Sequence, residues 1–172
     1  MTHDTDQDTS QPTDLAARLA WLEDLEAIRT LKHRYLQAAD GKDMETFRAS
    51  FVEDAVCDYG PLGRFEGREA LVEMFAAVAL KRAEDGSYAV WDMHHAGHPV
   101  ITVDGDEATG TWSLRFRQVD TVGRSETVSG IAYDDTYRRV DGEWRIATSA
   151  VRMLWGMVRP LPDDALVMGG IE

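Results

Sequence analysis

Three of the five histidines in this chain fall within five residues: His94, His95 and His98. Histidine is the side chain whose ordinary pKa lies nearest neutral pH, so it can accept a proton and return it within one catalytic cycle. The apolar residues 100–103 follow at once, and a turn comes after them. We therefore expect the histidines to lie at the entrance to a sheet, facing a pocket, a metal ion or solvent.

The spacing of the histidines disfavours the metal alternative. His94 and His98 would share one face of a helix, but Gly97 and Pro99 disfavour a helix there. On a strand the same two residues would stand about 13 Å apart, too far to hold one ion. His95 occupies the place of the glutamate in the zinc-protease motif. We therefore expect neither a metal nor another cofactor.

The first half of the chain predicts three helices. Residues 1–13 are polar and acidic, and we expect them to be disordered. Apolar residues then recur every three or four positions on a long helix, which should end near Asp40 with Gly41 in the left-handed cap position. Asp43 can cap a short second helix, and a third is predicted over residues 68–83. The apolar stripe of the first helix is Leu15, Leu19, Leu22, Leu25, Ile28, Leu31 and Tyr35.

The second half alternates with a period of two, which is typical of strands. Asp141 and Gly142 predict a hairpin between the last two strands. In the last strand we place Trp144, Ile146 and Arg152 on one face. Helices followed by long antiparallel strands predict an α+β fold, a cone-shaped barrel with three N-terminal helices packed on a curved, mostly antiparallel sheet. The domain should span residues 14–157, with residues 158–172 as a C-terminal extension.

Composition excludes several classes of partner. The net charge is −13, and an acidic surface repels phosphate backbones and anionic lipids. We therefore expect neither nucleic acid nor a membrane as partner. The single cysteine, Cys57, excludes an intrachain disulfide and lies in an apolar run, where we expect it to be buried. No secretory signal is evident, so we expect a cytoplasmic protein.

Six stretches of the chain match the pattern of a known family: residues 28–40, 51–56, 65–70, 94–108, 133–137 and 141–146. Together they resemble the SnoaL-like family of the nuclear-transport-factor-two-like superfamily. The resemblance covers about residues 15–155 and implies the cone-shaped fold already expected from the periodicity. The fold hosts enzymes, binding modules and structural subunits alike, so the resemblance does not decide the reaction.

Among enzymes of this superfamily, the chain is most similar to scytalone dehydratase, bile-acid dehydratase and hexachlorocyclohexane dehydrochlorinase. The resemblance implies His94 as a base assisted by Asp40, with Tyr35 and Arg152 acting at a leaving group or carbonyl. It leaves open whether His94 or His95 points inward. The candidate substrate contacts are His95, Tyr59, Trp112 and Tyr133.

Two classes of function follow. The first is a cofactor-free acid–base enzyme, a dehydratase or isomerase, acting on a small, largely apolar, cyclic carbonyl or hydroxy compound. The second is a non-catalytic ligand-binding module or a structural subunit, like the small subunit of ring-hydroxylating dioxygenases. A pocket that holds histidine and aspartate within hydrogen-bond reach favours the enzyme. The resemblance also implies a homodimer or homotrimer.

Overall fold

The structure, a computed structural model, describes residues 14–169 of the chain. The predicted disordered tail lies outside the described residues. The three helices are α1 (Leu15–Gly41), α2 (Met44–Ala49) and α3 (Arg68–Ala79), and a 3-10 turn covers Gly60–Leu62. The strands are β1 (Phe51–Asp58), β2 (Arg64–Glu66), β3 (Val90–Asp104), β4 (Glu107–Asp120), β5 (Ser125–Val140) and β6 (Glu143–Pro160).

The strands form one curved sheet of order β2-β1-β6-β5-β4-β3. Every pair is antiparallel except β1 and β6, which run parallel, so the sheet is mixed and mostly antiparallel. The helices pack on its concave face, and the predicted α+β architecture is confirmed. Strand β3 begins at Val90, ten residues before the predicted strand, so His94 lies within the sheet and not at its entrance. Strand β6 continues past the predicted boundary at residue 157.

Helix α1 begins at Asp14, whose carboxylate accepts a hydrogen bond from the Ala17 amide at 3.1 Å. The predicted stripe is buried only from Leu25 onward, because Leu15, Leu19 and Leu22 are more than half exposed. The buried residues of the helix pack into the cone, and Lys32 is the one charged side chain among them. They are Leu25, Ile28, Lys32, Tyr35, Leu36, Ala38 and Ala39.

The predicted glycine cap of α1 is wrong. The helix continues through Gly41, and Lys42 takes the left-handed conformation with φ 61°. The amide of Asp43 donates back to the carbonyl of Ala38 at 2.9 Å, which closes the helix in a Schellman pattern. Asp43 then caps α2, as predicted, by accepting hydrogen bonds from the amides of Glu45 and Thr46. Helix α3 ends earlier than predicted, at Ala79, because Ala83 bonds across a loop to the Ser87 carbonyl.

Several register shifts interrupt the sheet, and two bulges among them affect residues singled out in the sequence. In β6, Ile146 pairs with Tyr137 and Thr148 with Thr136, so Ala147 is an extra residue. This bulge reverses the alternation beyond it, because each added residue moves the following side chains to the opposite face. In β3, a second bulge at residues 98–99 puts His98 at φ 50°. The hairpin between β5 and β6 is confirmed, with Asp141 and Gly142 both at positive φ.

The core fills the cone between α1 and the sheet. Its fully buried side chains include Ile28, Phe47, Phe51, Leu71 and Ile146. Cys57 is also buried, as predicted, and burial raises the pKa of its thiol to about 12. Among residues 14–169, no helix has both the length and the apolar character needed to cross a membrane.

Candidate active site

Asp40 and His94 meet where the last turn of α1 passes over β3. One carboxylate oxygen of Asp40, Oδ1, lies 2.5 Å from the imidazole Nδ1 of His94. The other, Oδ2, accepts a hydrogen bond from the backbone N–H of the same histidine at 3.0 Å. The His94 side chain is 14% exposed and that of Asp40 is 24% exposed, so the pair is accessible yet largely shielded from water. Shielding strengthens the interaction between the two groups.

This geometry selects one tautomer of the ring. A carboxylate accepts hydrogen bonds, so Nδ1 carries the proton that points at Asp40. The lone pair of the neutral imidazole is therefore on Nε2, the nitrogen that faces away from the carboxylate. A histidine held in this way is a better oriented base than a free one. The Phe116 ring packs against the imidazole, with 4.8 Å between the ring centroids.

His95 points to the opposite face of the sheet and is exposed. The prediction that it lines the pocket is therefore wrong, because successive side chains of a strand alternate between faces. His98 is also exposed and lies 3.2 Å from the Ser113 hydroxyl. Of the three clustered histidines, only His94 contacts an acid at the mouth of the cone.

Tyrosine hydroxyls gather deeper in the cone. Tyr35 on α1 and Tyr59 after β1 are joined through their hydroxyl oxygens at 3.0 Å. Burial raises the pKa of both phenols well above the ordinary value of 10.0. Burial also raises the pKa of Tyr133 on β5, and the nearby charge of Asp135 raises it further. These phenols are therefore neutral and can donate hydrogen bonds.

Lys32 and Asp135 form a fully buried ion pair at the floor of the cone. The ammonium Nζ lies 2.7 Å from Asp135 Oδ2, and neither side chain is exposed. It also lies 3.7 Å from the centroid of the Tyr133 ring, within cation–π range. Burial lowers the pKa of Lys32, and the charge of Asp135 opposes that shift. Ser149 and Tyr137 donate the remaining hydrogen bonds to Asp135 at 2.7 and 2.9 Å.

Trp112 belongs to the same buried network. Its indole N–H donates to the Tyr137 hydroxyl at 2.8 Å, and the side chain is 3% exposed. Trp112 therefore forms part of the floor, and its polar atom is already bonded within the protein.

Arg152 does not reach the cone. It pairs with Ala132 on the convex face of the sheet and is exposed. The prediction that Arg152 shares the inward face of Trp144 and Ile146 is wrong, because the bulge at Ala147 lies between them.

A row of inward side chains runs from His94 across the sheet. His94 pairs with Phe116, Phe116 with Ser129, and Ser129 with Gly156. Ser129 is 1% exposed, and among the described residues its hydroxyl is the one buried side-chain polar atom without a hydrogen-bond partner. Buried polar atoms are nearly always bonded, so this unpaired hydroxyl is an exception within the row.

Two surface depressions lie elsewhere. One of about 910 Å³ lies between α1, α2 and the β5–β6 hairpin, and one of about 390 Å³ lies between the C-terminal segment and residues near Tyr88 and Trp91. Neither includes His94 or Asp40. Among residues 14–169, no three His, Cys, Asp or Glu side chains come close enough to hold a metal ion.

Three residues of the site escaped the sequence analysis. Lys32 had a visible signal, because it lies four residues after Ile28 and three before Tyr35, within the apolar stripe. Lys42 and Ser129 had none, since a left-handed lysine and an unpaired hydroxyl depend on the tertiary structure.

Comparisons with known proteins agree with this architecture. A family model for the SnoaL-like domain matches residues 20–150. An uncharacterised protein of Mycobacterium tuberculosis is 28% identical over 130 residues, which is 74% of this chain and 84% of that protein.

Solved structures show the same fold. A Novosphingobium aromaticivorans protein provisionally assigned as a scytalone dehydratase superposes with a TM-score of 0.70 at 23% identity, covering 85% of this chain and 97% of that one. Hexachlorocyclohexane dehydrochlorinase from Novosphingobium barchaimii gives 0.72 at 20% identity, covering 88% and 99%. These similarities establish the fold of the nuclear-transport-factor-two-like superfamily, and the match over residues 20–150 shows that the chain belongs to the SnoaL-like family.

Proposed function

We propose that the protein is a cofactor-free acid–base enzyme of the dehydratase or isomerase type. The observation that carries the proposal is that Asp40 makes two hydrogen bonds to His94, one with the ring Nδ1 and one with the backbone N–H. Because Nδ1 donates to Asp40, the lone pair that can accept a proton is on Nε2, which faces away from the carboxylate. The relatives with related folds include proteins named as a scytalone dehydratase and a dehydrochlorinase, which is consistent with elimination chemistry.

The reaction is a proton transfer at carbon. Nε2 of His94 removes a proton from a carbon next to a carbonyl or to a carbon bearing a leaving group. In a dehydration, the C–H electron pair forms the double bond, the C–O bond breaks, and the imidazolium returns its proton to the departing hydroxide, which leaves as water. In an isomerisation, the proton returns to a different carbon. Neither route changes the oxidation state of the substrate overall.

The tyrosines supply hydrogen bonds to oxygen. Tyr35 and Tyr59 share one hydrogen bond between them, so a second proton remains for a substrate carbonyl. A donor aimed at developing negative charge contributes about 3 kcal/mol to stabilisation of a transition state. The surrounding rings of Phe116 and Tyr133 suit a small, largely apolar, cyclic compound.

The test compares two adjacent histidines. Cyclic hydroxy-ketones are screened for loss of water with the native protein, and each active compound is tested on His94→Ala and His95→Ala. We expect His94→Ala to reduce kcat/KM by about 10²–10⁴-fold, the usual contribution of a general base, and His95→Ala to retain full activity because its side chain is on the opposite face. Equal activity of both variants would overturn the proposal.

A subunit role is the second candidate, because apolar side chains of β6 are uncovered. Met153, Leu154, Trp155, Met157 and Val158 are each at least half exposed. Patches of this kind mark interfaces. We propose a homodimer or homotrimer through Trp155 and Met157, which share the convex face of β6. Sedimentation analysis of the native chain and of Trp155→Ser tests the assembly: dissociation of the variant supports it, and a monomeric native chain would overturn it.

A further inference from the structure

Lys42 holds a backbone conformation that favours glycine. Its φ is 61°, in the left-handed region, although Gly41 is the preceding residue and could have taken that position without steric cost. A lysine in this place is explained by its side chain. The ammonium Nζ lies 3.0 Å from Oδ2 of Asp92, and the side chain is only 1% exposed.

Asp92 is shielded as well and uses both of its oxygens. Its side chain is 7% exposed. While Oδ2 accepts from Lys42, Oδ1 accepts a hydrogen bond from the Gln118 amide of β4 at 2.8 Å. The Tyr88 ring lies 5.8 Å from the Lys42 ammonium on another side. The ion pair is therefore fixed by groups from two strands and a loop.

The Lys42–Asp92 ion pair lies beside the hydrogen-bonded Asp40–His94 pair. Lys42 comes two residues after Asp40, and Asp92 comes two residues before His94. The end of α1 is thus joined to β3 at two points, once by each pair. The Asp40 carboxylate bonds two nitrogen atoms of His94 at once, and this arrangement tolerates little movement of the helix end.

We propose that Lys42 and Asp92 are positioning residues for the Asp40–His94 pair. The inference rests on the proposed function. Without the Lys42–Asp92 ion pair, only the backbone hydrogen bonds of the helix end hold residue 42 in its left-handed conformation, and the last turn of α1 can shift more easily relative to β3. Asp40 then loses one of its two hydrogen bonds to His94, and a smaller fraction of His94 carries its proton on Nδ1.

The test uses Lys42→Met and Lys42→Gly. The control is Arg117→Met, because Arg117 is exposed on the convex face and pairs there with Glu126 at 2.6 Å. Lys42→Gly suits the left-handed backbone and removes only the side chain, so it remains informative if Lys42→Met folds poorly. We expect both Lys42 variants to reduce kcat about 10- to 100-fold with KM nearly unchanged. Lys42→Arg should restore most of the activity, and Arg117→Met should keep all of it.

A second readout does not depend on activity. Nitrogen-15 NMR of the imidazole reports which ring nitrogen of His94 carries the proton, and we expect a smaller Nδ1–H population in both Lys42 variants. An unchanged tautomer population would overturn the inference, as would full activity in Lys42→Gly when His94→Ala is inactive. Full activity in His94→Ala would instead overturn the proposed function, and the NMR measurement would still decide the positioning role.

Discussion

The carboxylate of Asp40 binds two nitrogen atoms of one residue, His94, at 2.5 Å on the ring and 3.0 Å on the backbone. A backbone amide is always a donor, which fixes one oxygen of Asp40, and the other oxygen then faces Nδ1. The orientation of the imidazole is therefore set by contacts with a single side chain on α1.

Asp40→Asn should break this arrangement while preserving its shape. The amide has one acceptor oxygen in place of two, so either the backbone N–H or the ring Nδ1–H loses its partner. We expect kcat/KM to fall about 10²–10⁴-fold and the Nε2–H tautomer to increase. Steady-state kinetics and imidazole NMR measure the two effects. Full activity with an unchanged tautomer would show that the carboxylate does not assist the base.

Lys32→Met should destabilise the fold strongly. It leaves Asp135 fully buried without a counter-charge, and breaking a buried pair from one side costs about 3–5 kcal/mol. The double variant Lys32→Met/Asp135→Asn should recover part of the loss, because it removes the orphaned charge. Urea denaturation measures the free energy of unfolding.

Arg138→Met is the control for that experiment. It removes an exposed ion pair with Asp54 and should cost less than about 1 kcal/mol. A Lys32→Met variant no less stable than this control would contradict the burial of the pair.

Stability should fall above pH 10. The pKa values of Tyr35, Tyr59, Tyr133 and Tyr137 are raised in the folded state, mainly by burial, above an unfolded value of 10.0. Below pH 10 both states keep these protons. Above it, the unfolded chain ionises while the folded chain does not, so unfolding becomes more favourable as pH rises.

Ultraviolet absorbance of tyrosinate measures that titration. The chain has five tyrosines, and we expect at most one to ionise before the cooperative transition seen by circular dichroism. Gradual ionisation of several tyrosines in the folded protein would contradict their burial.

Ser129→Ala should leave the free energy of unfolding unchanged or increase it by up to about 1 kcal/mol, because the hydroxyl it removes is buried without a partner. If a substrate uses that hydroxyl, its KM should rise in the same variant. Thermal unfolding and kinetics separate the two effects. A loss of stability above about 1 kcal/mol would reveal a hydrogen bond within the protein.

Arg152→Ala should have little effect on a single subunit. The side chain is exposed on the convex face, so we expect activity within about twofold and stability within about 0.5 kcal/mol of the native protein. Kinetics with an active substrate checks this, and a loss of activity of about a hundredfold would show that Arg152 acts in the site after all.

The sequence was sufficient for the architecture, and the resemblance was sufficient to bring Asp40 and His94 together. The helical period of apolar residues in α1 and their alternation in the later strands show which faces are buried, and these faces determine how helices and sheet pack. Asp40 and His94 followed from the resemblance, and the structure places them in contact.

Orientation was harder to predict. A period of two says that His94 and His95 face opposite ways, but it does not say which one faces the cone. One bulged residue, Ala147, was enough to misplace Arg152, because nothing in the local sequence marks it. The helix end was misassigned for a similar reason: intrinsic preference favours Gly41, and a tertiary ion pair places Lys42 there instead.

The buried thiol of Cys57 can report how often the fold opens locally. Its pKa of about 12 leaves almost no thiolate at neutral pH, so alkylating reagents have little to attack while the cone is closed. Since this is the only cysteine, every modified molecule records an opening that exposed β1. The rate of labelling would therefore measure how often β1 opens to solvent.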